Sequence, residues 1–137
     1  MTVTIPSQTD TLEIIERAPT TADAQLILQI MQVDAASGAN QGWRLLMNFD
    51  TPPTLSQLRR RHPRETAEYG QINAFLASCE TIGTFVKHGL LHRGLVDDTW
   101  WVAGAWRVSE KICKGLRKEA GEPRLFENFE ALARSVT

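Results

Sequence analysis

The chain has 137 residues, close to the commonest size of a single domain, and at this size a core forms without disulfides or metal ions. A hydrophobic share of 42% excludes general disorder. The net charge of -1, with a pI near 6.3, provides no overall field that would favour nucleic acid or an anionic membrane.

The ends and the two cysteines also limit the class of protein. Two cysteines do not make a disulfide framework, and the N-terminus lacks the basic and apolar regions of a secretory signal. No run of about 18 apolar residues suggests a membrane span, so we expect a cytoplasmic protein. Residues 1–19 have the least regular pattern. We predict that they form an arm, either mobile or packed on a partner, ahead of a single helical domain over residues 20–137.

Capping patterns divide the first half of the domain into three helices. Thr20 and Asp23 form a helix start, and the apolar residues that follow continue to a stop at residues 37–38. A second, shorter helix ends before the two prolines at 52–53, which cannot continue it. The pattern at residues 54–57 starts a third helix, which closes on a run of basic residues.

The clearest helical pattern in the chain covers residues 69–90. Phe75 and Ile82 widen its apolar face, so several neighbouring elements must cover it. We predict a long central helix over about residues 65–88, ended by Gly89 in the left-handed conformation. The apolar face, with spacings of 3 and 4 in alternation, consists of Tyr69, Ile72, Leu76, Cys79, Gly83, Val86 and Leu90.

A second long helix is predicted over about residues 99–119. Asp97 and Asp98 are candidate caps at its start, and Gly121 marks its end. Pro123 opens a last helix. Its apolar stripe contains Leu125, Phe126, Phe129, Leu132 and Val136.

Together these patterns predict an all-α protein, an irregular or orthogonal bundle of five to seven helices. We expect the two long helices to pack on each other, with Gly83 on one and Gly104, Ala105 and Gly115 on the other allowing a close approach. Cys79 and Cys113 are then expected to be buried thiols near each other.

Two segments, residues 87–96 and 122–132, resemble motifs of a known family. Over about residues 22–134 the chain is similar to a family of small bacterial helical proteins catalogued only as a domain of unknown function. The resemblance implies the helical fold and a bacterial origin, and it carries no activity. Glu122 stands where an Asn is usual before the proline. The matching positions are Gly89, Leu95, Val96, Asp97, Trp106, Pro123, Arg124, Phe129 and Leu132.

His88 and His92 raise the possibility of a metal site. On a continuous helix their spacing of four would place both imidazoles on one face, and Asp97 would add a carboxylate. Gly89 is expected to break the helix between them, and the glutamate that makes such a motif specific for a zinc protease is absent. We therefore prefer a structural interpretation, in which His88 caps a helix end and His92 lies in a solvated connector. Asp97 is then an N-cap or a buried partner of Arg107 or Arg124.

The densest basic group consists of Arg59, Arg60, Arg61 and Arg64. Its functional interpretation is contact with phosphate or nucleic acid. Aromatic residues do not alternate with these arginines, and acidic residues follow them, so a solvated helix end is the preferred interpretation.

Trp100 and Trp101 are adjacent, and adjacent residues of a helix cannot both face one core. One interpretation places one of them at an interface or a groove rim, where Trp is enriched. The other buries it under the N-terminal arm. We hold both interpretations open.

No phosphate-binding loop, nucleophile elbow or Cys-x-x-Cys motif is present in the sequence. The leading hypothesis is therefore a non-enzymatic protein-interaction or regulatory module that binds a protein partner or a second copy of itself and needs no cofactor. The alternatives are a nucleic-acid binder that uses Arg59–Arg64 and a small metal-dependent enzyme that uses His88, His92 and Asp97.

Overall fold

A computed structural model describes residues 17–135. Within this range the chain forms seven helices and no strand, which confirms the predicted all-α bundle. The predicted arm falls almost wholly on residues outside the described range. The helices are α1 (Thr21–Ser37), α2 (Ala39–Met47), α3 (Leu55–Arg61), α4 (Ala67–Lys87), α5 (Arg93–Thr99), α6 (Val102–Ala120) and α7 (Glu127–Arg134).

The long helix α4 is the centre of the bundle, because α2 and α7 both pack closely against it and α1 covers part of it. Its predicted apolar face is buried at Tyr69, Ile72 and Leu76, and burial of such side chains is the main stabilising contribution to a core of this kind. Leu90 does not belong to this face. It lies beyond the end of the helix and is 62% exposed.

Two glycines allow the close approaches to α4. A Cβ atom on Gly42 of α2 would lie 2.1 Å from the carbonyl oxygen of Gln71. A Cβ atom on Gly83 of α4 would lie 2.4 Å from the carbonyl oxygen of Asn128, at the start of α7. The prediction that Gly83 brings the two long helices together is therefore wrong, because this glycine faces α7 and not α6.

Several helices begin or end at the capping residues that the sequence predicts. Thr20 and Thr54 both form complete capping boxes, in which the threonine hydroxyl accepts a backbone N–H and the third residue bonds back to the cap. Gly38, Gly89 and Gly121 have φ values of 87°, 74° and 65°, the left-handed conformation that glycine adopts most easily.

The predicted helix over residues 99–119 starts later than expected. Trp100 is extended, with φ/ψ of −128°/147°, and Trp101, with φ/ψ of −89°/78°, is also not helical. These two residues separate α5 from α6. Asp97 and Asp98 thus end a short helix and do not cap the long one. Both residues of this link line the same cavity.

The last helix also starts later than its proline signal indicates. Residues 123–126 form turns, and α7 begins at Glu127 after Phe126, whose φ of 61° is left-handed. The Arg117 guanidinium holds this turn by donating to the carbonyl oxygen of Leu125 at 2.6 Å. Over residues 17–135, no helix has the length and apolarity needed to cross a membrane.

Candidate functional site

A cavity of about 250 Å³ lies where α1, α2, α4 and α7 meet the link between α5 and α6. Because five separate parts of the chain form it, its shape depends on the whole fold. Its lining residues are Asp34, Ala39, Asn40, Trp43, Phe75, Ser78, Cys79, Ile82, Thr99, Trp100, Trp101, Val102, Ala105, Phe129 and Leu132.

Aromatic side chains form much of the wall. The rings of Trp43 and Phe75 have centroids 5.3 Å apart and are tilted by 34°. Trp101 is 58% exposed and lies against α6 at Gly104, where a Cβ atom would come within 2.3 Å of its ring. The Arg107 guanidinium carbon lies 5.6 Å from the centroid of the same ring. Gly104 is therefore required for the position of this exposed indole.

One carboxyl group faces this apolar cavity. Asp34 is 8% exposed, and its side chain forms no ion pair with any residue of the 17–135 range. Burial raises its pKa above the ordinary value, and the Ser78 hydroxyl offsets part of that rise. Asp34 is thus a desolvated acid that has no ion-pair partner in the described part of the chain.

The cavity thiol is not activated. Burial raises the pKa of Cys79 well above its ordinary value, and the nearby Cys113 and Asp34 add to this effect. A thiol with a raised pKa is a poor nucleophile, because the thiolate is the reactive form. The lining residues include no histidine and no second carboxyl group that would make an acid–base pair with Asp34. The arrangement is suited to binding.

A second buried acid fixes the position of α1. Asp23 is 1% exposed and accepts two hydrogen bonds from the Arg17 guanidinium, at 2.9 and 3.0 Å. It also accepts the Thr20 N–H at 2.7 Å and the His92 N–H at 2.9 Å. These donors, the guanidinium first, hold the pKa of Asp23 well below its usual range. The bond to His92 ties α1 to the start of α5, the helix that leads to Trp100.

The structure places the predicted tryptophans on the cavity but does not gather the predicted metal ligands. His88 ends α4, and the break after it separates it from His92, whose Nδ1 accepts the Leu95 N–H at 3.1 Å. Asp97 is paired with Arg93 at 3.4 Å. The part of the chain described by the structure contains no group of three or more His, Cys, Asp or Glu side chains that could hold a metal ion.

The basic group is divided between structural and exposed residues. Arg59 forms a two-point ion pair with Glu119, at 2.5 and 2.8 Å, and also donates to the Tyr69 hydroxyl. Arg64 donates to the same Glu119 at 3.0 Å. Arg61 stacks on the Phe49 ring at 3.9 Å, and Arg60 is exposed. Two of the four predicted phosphate contacts are therefore already engaged with a carboxylate.

Sequence reasoning missed Asp34, Trp43 and Phe75 as cavity residues. A signal for Asp34 is nevertheless present, because it continues the buried stripe of α1 after Ile27 and Ile30 at helical spacing. An acid on the apolar face of a helix requires a partner or a function.

The bundle defines a small all-α protein that contains a cavity with aromatic walls. The model of a family described as a domain of unknown function (DUF4760) matches residues 19–136, and the chain belongs to this family. No curated protein and no solved structure matches the chain.

Proposed function

We propose that the protein is a non-enzymatic regulatory module that binds a small ligand in the cavity beside Trp100 and Trp101. The observation that carries the proposal is the cavity itself, which has mostly apolar walls and one carboxyl group among its lining residues. Binding sites typically combine such walls with a few placed polar groups. A volume of about 250 Å³ is slightly below the range of roughly 300–1,000 Å³ for drug-sized ligands, so the ligand is small.

The test is a titration with indole, a neutral aromatic probe, followed by the indole N–H signals of the four tryptophans in ¹H–¹⁵N spectra. We expect saturable shifts at Trp43, Trp100 and Trp101. Ala105→Leu fills the cavity and should abolish the shifts, whereas Ala77→Leu adds the same atoms at an exposed site of α4 and should not. Unchanged binding in the folded Ala105→Leu protein, or no binding to the wild type, would refute the proposal.

A second candidate is self-association, the simplest version of a protein-interaction role. The observation that favours it is the outer side of α1, where Leu28 is 60% and Met31 41% exposed, at the spacing of one helix face. Exposed apolar patches often mark interfaces. The molar mass from light scattering tests self-association. A dimer should dissociate in the Leu28→Lys variant and remain in the control variant Gln29→Lys, which adds the same charge at an exposed position of the same helix.

The nucleic-acid and metal hypotheses and the cytoplasmic location stay predictions. Salt-dependent titration with single- and double-stranded nucleic acid tests the first hypothesis. Metal analysis of the purified protein tests the second.

A further inference from the structure

The unpaired acid of the cavity indicates what kind of ligand the site takes. Asp34 lies on the buried side of α1, is 8% exposed and faces a cavity with mostly apolar walls. Buried carboxylates in proteins are normally paired with a cation or with several donors. Asp34 has the Ser78 hydroxyl near it, and no ion pair to it is formed within residues 17–135. Burial of this carboxyl group therefore opposes its ionisation, and a positively charged ligand would stabilise the ionised form.

The aromatic walls of the cavity also favour a positively charged ligand. The faces of aromatic rings carry negative potential, and they attract ammonium groups within about 6 Å of the ring centroid. Trp43, Phe75 and Trp100 supply such rings beside the acid. Arg107 stacks on Trp101 at the rim, but its side chain is exposed and water screens its charge.

We propose that the ligand of this cavity is an organic monocation with a compact apolar body, such as an aralkylamine, whose ammonium group pairs with Asp34. This inference rests on the proposed function, because it names the ligand class of the same site. The apolar body contacts the aromatic wall, and the ammonium group replaces the missing cation beside the carboxylate. The burial that raises the pKa of Asp34 in the free protein also strengthens this pair, since the interaction of two charges increases as water is excluded.

The experiment compares two probes of matched size at pH 7.5, phenethylamine, which is protonated, and 2-phenylethanol, which is neutral. Affinities are measured from the tryptophan indole shifts of the wild type, Asp34→Asn and Asp97→Asn. Asp97→Asn is the matched control, because it changes the net charge equally at an exposed residue outside the cavity. A charge-assisted hydrogen bond contributes enough to change affinity by about tenfold or more.

We expect the wild type and Asp97→Asn to prefer phenethylamine by about tenfold or more. We expect Asp34→Asn to lose this preference because it binds the amine more weakly and the alcohol equally well. Equal affinities for both probes in the wild type, or a preference that survives Asp34→Asn, would overturn the cation proposal while leaving the cavity a ligand site. If the wild type binds neither of these probes nor indole, the proposed function itself fails.

Discussion

The two glycines of α4 give opposite predictions for the same substitution. Replacing a glycine inside a helix with alanine ordinarily stabilises a protein by about 1 kcal/mol, because alanine has the higher helix propensity. Gly70 has no atom within 4 Å of the position of an added Cβ, so Gly70→Ala should show this ordinary gain. Gly83 is buried against α7, so Gly83→Ala should destabilise the protein.

The contacts of Gly83 set the size of the effect. The added Cβ would lie 2.4 Å from the Asn128 carbonyl oxygen and 2.9 Å from the Phe129 nitrogen, so α7 must move by about 1 Å to reach ordinary contact. That movement disturbs the bond from the Phe129 N–H to Glu80 at 2.8 Å and the edge contact between Phe129 and Trp106. Overpacking costs about 1–3 kcal/mol and each weakened hydrogen bond about 1 kcal/mol, against the propensity gain of about 1 kcal/mol.

We therefore expect Gly83→Ala to lower the free energy of unfolding by about 1–3 kcal/mol and Gly70→Ala to raise it by up to about 1 kcal/mol. The assay is urea unfolding at 25 °C followed by tryptophan fluorescence, with linear extrapolation to water. A loss of this size leaves a domain with a typical stability of roughly 5–15 kcal/mol folded. The packing of α7 on α4 would be refuted if the two variants were equally stable.

Three further predictions concern buried polar groups. Asp23→Asn should cost about 2 kcal/mol near neutral pH. The pKa of Asp23 is lower in the folded state than in the unfolded state, so the stability that Asp23 contributes is present above the unfolded pKa of about 3.9 and is lost as the pH falls below it. Urea unfolding at several pH values should therefore show the stabilities of the wild type and Asp23→Asn converge in acid. A difference that stays constant with pH would contradict this. Ser109→Ala should raise the free energy of unfolding by about 1 kcal/mol, because the Ser109 hydroxyl is fully buried and has no hydrogen-bond partner among residues 17–135. A loss of stability in the same assay would mean that the hydroxyl is bonded. Burial raises the pKa of Cys113 to about 12, so its thiolate fraction at pH 8 is roughly a thousandfold below that of a free cysteine. A disulfide reagent should therefore label Cys113 only after the protein unfolds. Rapid labelling of the native Cys79→Ser protein would show instead that Cys113 is accessible.

Helix boundaries that depend on residues close to them in the sequence could be predicted. The capping boxes at Thr20 and Thr54 and the left-handed Gly89 depend on atoms within about four residues, so their patterns are sufficient. The break at Trp100 and Trp101 has no such local signal. The non-helical backbone at these two residues belongs to the packing around the cavity, which both of them line.

The partners of the glycines and of the cavity residues depend on distant parts of the chain. The glycine at position 83 predicted that another segment approaches α4 closely. No residue near Gly83 indicates that this segment is residues 128–129. Trp43 and Phe75 are 32 positions apart, and their ring contact exists only because α2 packs on α4 through Gly42. Periodicity predicts which side of a helix is buried, and it does not identify the element that covers it.

The two buried acids of α1 show why Asp34 is assigned to binding and Asp23 to structure. Both are among the buried residues of one helix. Asp23 accepts bonds from Arg17, Thr20 and the His92 N–H, so the fold itself stabilises its charge and lowers its pKa. Asp34 has no ion pair within the described range, and its pKa is raised. A buried carboxylate that served only the fold would be stabilised as Asp23 is, and replacing Asp34 with an apolar residue would lose little stability. Such a replacement would remove the one carboxyl group that lines the cavity, which is the group that a cationic ligand needs.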